Sequence, residues 1–209
     1  MRSSHEVPDT GSTQIRVIGF GAAVVAAAAS LEKHPAPGLL FRQYMPPEKT
    51  GGRQMSTGTA ASSMGDFDSW LESAHILVLL VDENDMDLHR AAIELGRKAK
   101  AQGLLTIGVS LGGNISASLD ADQSSGSFFE EFETSMHSCI RLAPLRIQTA
   151  FDRTALILQS LTTGLAKLCN IQGNIGVDYE DVLSVLGKSA RLSAGVGAAH
   201  GSDRALVAA

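Results

Sequence analysis

Residues 75–81 read HILVLLV. After the histidine there is no polar position in this run, so neither of its two alternating faces meets water. Such a run reads as a strand buried on both sides of a parallel sheet. Its surroundings repeat the logic. Asp82–Asp87 is an acidic turn, 88–102 carries a helical pattern closed by Gly103, and LLTIGVS at 104–110 is a second buried strand. Further on come a Gly/Ser/Asn-rich loop at 111–126, a short helix at 127–136 and a strand at 138–142 ended by Pro144. A long helix at 147–169 follows, about 35 Å at 1.5 Å per residue.

Upstream, 67–73 reads as a short helix capped by Asp66. Residues 45–65, with prolines, glycines and many Ser/Thr, read as a long surface loop. GLLFRQY at 38–44 is a strand, 22–33 an alanine- and valine-rich helix, and QIRVIG at 14–19 an opening strand. Residues 1–13 are a loose polar arm. At the far end, 170–177 is a loop, 178–186 a helix, 189–201 a glycine-rich stretch and 202–209 a last helix starting at Ser202. Strands alternating with helices predict an α/β fold: a doubly wound, mainly parallel, Rossmann-like sheet with helices on both faces and a long central helix. The expected layout is an arm at 1–13, one domain over 14–177 with its C-terminal helices at 178–209, and no second domain.

Composition excludes several classes. The 209 residues are 44% hydrophobic, enough for a core, and collagen, coiled-coil and disordered readings fall away. The net charge is −5. Its distribution is uneven, since 48–138 holds fourteen acidic against six basic side chains. With no basic stripe, nucleic acid is not an expected partner. The longest apolar run, 22–29, is far short of the roughly 20 residues of a membrane span. The two cysteines, Cys139 and Cys169, have no CxxC spacing, read as small buried hydrophobes and fit a reducing cytoplasm.

Three places could carry chemistry. Gly19-Phe20-Gly21 lies between a strand and a helix, where free N–H groups and the helix dipole attract phosphate. The third glycine of a dinucleotide fingerprint is Val24 instead, so a turn that merely needs glycine is the competing reading. The second place is Asp82–Asp87, four carboxylates in six residues. It lies at the strand end where open α/β sheets bind ligands. Hard oxygen ligands suit Mg²⁺ or Ca²⁺, but the spacing follows no calcium loop, and acids at a helix start commonly complement the dipole. No metal site is expected. The third place is Asp178 and Asp181, which can project to one side of a helix start, either to polarise a water or to cap the helix.

The ordered combination VDYEDV (177–182), AGVGAAHG (194–201) and SDRA (202–205) resembles FtsZ, the bacterial tubulin homologue. QIRVIGFG, LESAHILVLLV (71–81), LLTIGVS and CIRLAP (139–144) extend the resemblance over about 14–209, patchily at 44–65. It implies an FtsZ/tubulin GTPase-domain-like fold and GTP or GDP as the ligand class. Gly19, Phe20 and Gly21 would lie at the phosphates, and Phe151 at an aromatic position near the base. Asp178 and Asp181 would act catalytically, only across an interface on a neighbour's nucleotide.

The departures from that pattern are concentrated at the nucleotide. Ala22-Ala23-Val24 follows the first glycines, and Asn84–Arg90 stands where the family has GGGTGTG. The guanine-reading asparagine becomes Ala155, and the asparagine beside the paired acids becomes Gly176. The resemblance therefore implies a degenerate relative with no bound cofactor and no ordinary GTPase activity. Such a chain would associate with itself or with another FtsZ-like, cell-division protein. Two alternatives stay open: a GTP-binding, weakly hydrolysing polymerising protein, and an unrelated Rossmann-like enzyme that binds a small phosphate compound.

Overall fold

A computed structural model describes residues 12–21, 24, 35–44, 61–62, 66–83, 85–111, 123–142, 150–173, 176–188 and 190–194. Seven strands form one sheet: β1 (Ile15–Phe20), β2 (Leu39–Tyr44), β3 (Ala61–Ser62), β4 (Ile76–Asp82), β5 (Leu105–Leu111), β6 (Ser138–Leu142) and β7 (Ala190–Leu192). Their order is β3-β2-β1-β4-β5-β6-β7, and every pairing is parallel. The order reverses direction between β1 and β4, the switch point at which open α/β sheets place a ligand.

Helices α1 (Asp66–Leu71), α2 (Met86–Ala101), α3 (Gln123–Ser135), α4 (Ala150–Asn170) and α5 (Tyr179–Leu186) complete the described elements. The alternation within β4 sorts them into two layers. Ile76, Val78 and Leu80 join a core with Leu158, Leu165 and Ala166 of α4 and Val182 of α5. Leu77, Leu79 and Val81 join a second core with Phe67 and Leu71 of α1, Leu88 and Leu95 of α2, and Phe128 and Phe132 of α3. All six of these β4 side chains are fully buried, which is why the run could not afford a polar face.

The predicted doubly wound sheet and long helix are present, with the sheet wholly parallel. Boundaries shift by a few residues. The helix expected at 127–136 spans 123–135, and the one expected at 147–169 is described over 150–170. Two strands were not expected. β3 falls inside the predicted loop at 45–65, and β7 inside the predicted glycine-rich stretch. Each adds two or three residues to a sheet edge, too few to show a period. Asp66, expected as a cap, is the first residue of α1 itself. Residues 1–11 of the predicted arm at 1–13, most of the helix at 22–33 and the helix at 202–209 lie outside the described residues.

Tertiary hydrogen bonds pin the ends of the strands. Asn170, the last residue of α4, accepts from Thr13 N at 2.5 Å and donates to Thr13 O and Pro37 O, both at 2.9 Å. One carboxamide thus binds the entry to β1 and the turn before β2 to the long helix. Cys139 is buried, and burial, then Glu133, pushes its thiol up to about 12. Cys169 is half-buried, and burial raises its thiol too. Both thiols are therefore protonated at neutral pH.

Candidate functional site

At the C-terminal edge of the sheet, β1 ends in the Gly19-Phe20-Gly21 turn. Gly21 has φ +100°, a conformation that strains any residue with a side chain. A Cβ there would also lie 2.9 Å from Asp82 Cβ and 3.7 Å from Asp85 Cβ. The glycine turn therefore packs directly against the acidic turn. Gly19 has a different reason to lack a side chain: a Cβ would come within 2.5 Å of Val24 Cγ1 and 3.1 Å of Phe41 Cζ. Val24 is helical and fully buried, and its side chain fills the space above Gly19. Phe20 points into the core, its ring 5.0 Å from that of Tyr44, and only its backbone faces the edge.

The acids at 82–87 meet different fates. Asp85 occupies the N-cap position of α2 without a side-chain cap hydrogen bond, and Asp87 lies in the first helical turn. Glu83 turns inward instead and is buried, with only 2% of its side chain exposed. Arg141 Nε donates to its Oε1 at 2.8 Å and Nη2 to its Oε2 at 2.6 Å, while Ser110 Oγ also donates to Oε1. Strand register builds this group. Val81, Ser110 and Arg141 lie in one row across β4, β5 and β6, and Glu83 follows Val81 by two residues on the same face. The Arg141 guanidinium is backed by the ring of Phe129, 5.1 Å away. Sequence reading missed Ser110 and Arg141 as partners, because they lie 27 and 58 residues from Glu83.

Asp178 and Asp181 lie at the opposite edge. Tyr179 Oη donates to the carbonyl of His75, which precedes β4, so α5 starts beneath the N-terminal ends of the strands. The seven residues of β4 separate the two edges by roughly 20 Å. Asp178 Oδ1 accepts from Asp181 N at 2.9 Å, and Asp181 Oδ2 accepts from Asp178 N at 3.2 Å. This is a capping box, and both acids remain exposed. Phe151 lies in the first turn of α4. The structure thus gathers Gly19, Phe20 and Gly21 with Asp82, Glu83 and Asp85 at one edge, and sets Asp178 and Asp181 on the other. Among the described residues, no cluster of three or more His, Cys, Asp or Glu could hold a metal ion, and no helix is long and apolar enough to cross a membrane.

No protein-family model matches the sequence, and no curated protein matches it. Solved structures do. A tryptophan-to-tyrosine variant of FtsZ from M. jannaschii superposes with a TM-score of 0.78 at 15% identity, over 96% of this chain and 70% of that one. An empty FtsZ dimer from the same organism gives 0.75 at 14% identity, over 96% and 68%. The chain has the FtsZ/tubulin-like α/β fold, and at these identities the likeness is one of fold.

Proposed function

We propose that this chain works by association, with itself or with another FtsZ-like protein of the cell-division or cytoskeletal type, rather than by turning over a nucleotide. The observation that carries this reading is the acidic filling of the edge where such a fold would take a phosphate. Asp82 and Asp85 press against the Gly21 turn, and Glu83 fills the space over β5 and β6. A phosphate charge about 4 Å from one such carboxylate is repelled by about 4 kcal/mol at an effective dielectric near 20. Ala155 offers no hydrogen bond to a base.

Under this reading the C-terminal edge around 82–90 and the acid-bearing segment at 176–181, with Asp178 and Asp181 exposed, are the assembly surfaces. The test is calorimetric titration with GTP and GDP, each with Mg²⁺, beside sedimentation velocity over a range of protein concentrations. No nucleotide binding with concentration-dependent association is expected; micromolar nucleotide binding overturns the reading.

One observation favours a second reading, a residual GTP-binding and slowly hydrolysing protein. The left-handed Gly21 turn still connects β1 to a helical residue, the arrangement that presents backbone N–H groups to an anion. Asp178 and Asp181 would then act on a neighbour's nucleotide, and Asp178→Ala or Asp181→Ala would abolish phosphate release. That reading fails if the native chain releases no phosphate at high protein concentration.

A further inference from the structure

Glu83 is a buried carboxylate gripped by three donors that reach it from two other strands. Ser110 Oγ, Arg141 Nε and Arg141 Nη2 converge on its two oxygens. The pair of guanidinium bonds has the parallel two-point geometry with which arginine receives carboxylates and phosphates. The Phe129 ring backs the guanidinium, while 46% of the Arg141 side chain stays open to solvent. These are the parts of an oxyanion receptor: a planar cation held in place, a hydroxyl, and a low-dielectric wall at the ligand-binding edge of a parallel sheet. The difference from an ordinary receptor is that its ligand is covalently attached.

We infer that Ser110, Arg141 and Phe129 form an oxyanion site whose permanent occupant is the chain's own Glu83 carboxylate, and that a free small oxyanion takes the site once that carboxylate is removed. Tethering explains why the native chain needs no external anion there. The internal group competes at a high effective concentration, and its oxygens use the same donors a phosphate or acetate would use. The inference deepens the association reading, on which its bearing on assembly rests. The edge is held in an anion-occupied form, so association through it is independent of any added anion.

Glu83→Ala tests the site, because it removes a CH₂–COO⁻ group of the size of acetate. Thermal unfolding is followed in acetate, phosphate and chloride at equal ionic strength. At an anion concentration ten times its dissociation constant, linkage predicts a rise of roughly 3–6 °C over chloride for a chain of this length. The native chain and Glu83→Gln, whose amide still fills the space, are expected to show no such rise. If Glu83→Ala has no cooperative transition in chloride, recovery of one in acetate or phosphate is the corresponding positive result. The inference is overturned if Glu83→Ala responds to neither anion. It is equally overturned if Glu83→Gln or Glu83→Ala/Arg141→Ala responds as strongly, since the anion would then act elsewhere. Sedimentation of the native chain tests association separately, so either idea can fail without the other.

Discussion

Two acidic clusters at opposite ends of one sheet are built in opposite ways. At the N-terminal edge, Asp178 and Asp181 satisfy each other's backbone within a single helical turn and stay in water. At the C-terminal edge, Glu83 leaves its own segment, is buried, and is held by side chains from β5 and β6. A local motif keeps its carboxylates solvated, so losing one costs only a cap. A cross-strand motif takes its carboxylate out of water, so its hydrogen bonds come from partners far along the chain. Carboxylates alike in the sequence therefore carry very different weight in the fold.

The comparison is broken most readily at Arg141. Arg141→Ala leaves the Glu83 carboxylate buried without its cation, and about 3–5 kcal/mol of stability should be lost, read by urea denaturation. Glu83→Gln should cost less, because the unpaired Arg141 is already half in solvent. Equal losses in the two variants would mean that the desolvated carboxylate does not set the asymmetry.

Gly21→Ala comes next. It combines a left-handed backbone with a methyl 2.9 Å from Asp82 Cβ, and on the order of 1–3 kcal/mol should be lost. Gly103→Ala is the control, since it shares a positive φ of 86° but meets nothing within 4 Å. It should cost about 1 kcal/mol, the strain alone.

At the N-terminal edge, Asp178→Ala should lose about 1 kcal/mol and Asp178→Asn much less, as asparagine also caps. Glu180→Gln, outside the box, should stay within about 0.5 kcal/mol of the native chain. A loss at Asp178 as large as that at Arg141 would erase the contrast between the edges.

The smallest effect concerns His137, also at the N-terminal edge. Its Nδ1 accepts from Thr106 N at 3.1 Å and lies 2.9 Å from Thr106 Oγ1, an arrangement that needs the neutral ring. Burial, then Lys100, lowers its pKa below 6.5, so the folded state binds fewer protons than the unfolded one. Stability should therefore fall as pH drops from about 6.5 towards the folded value, and level off below it. His137→Gln should flatten that part of a melting-temperature profile.

Much of the fold was legible because it is periodic. The unbroken apolar run of β4 at 76–81 requires two covered faces, and its six residues divide between the two cores residue by residue. The alternation of strand and helix then leaves few topologies. The short edge strands β3 and β7 escaped because so few residues have no period, and only pairing with Gln43–Tyr44 and Ser138–Ile140 defines them. At the candidate site, the glycine turn was legible in the Gly-Phe-Gly spacing. The destination of the acids was not, since Asp85 and Glu83 look equivalent in the sequence although only Glu83 turns inward.

The sequence by itself determined the strands that are buried on both sides and the long helix, and it offered helix capping as one of two readings of Asp178 and Asp181. All of these rest on spacings of two to four residues, the reach of a strand's alternation or a helical turn. Only the tertiary structure decided which acid is buried and what holds it. Arg141 meets Glu83 because β4, β5 and β6 align Val81, Ser110 and Arg141 in one row. That register is a property of the whole packed sheet, since shifting a strand by one residue would turn these side chains to its other face.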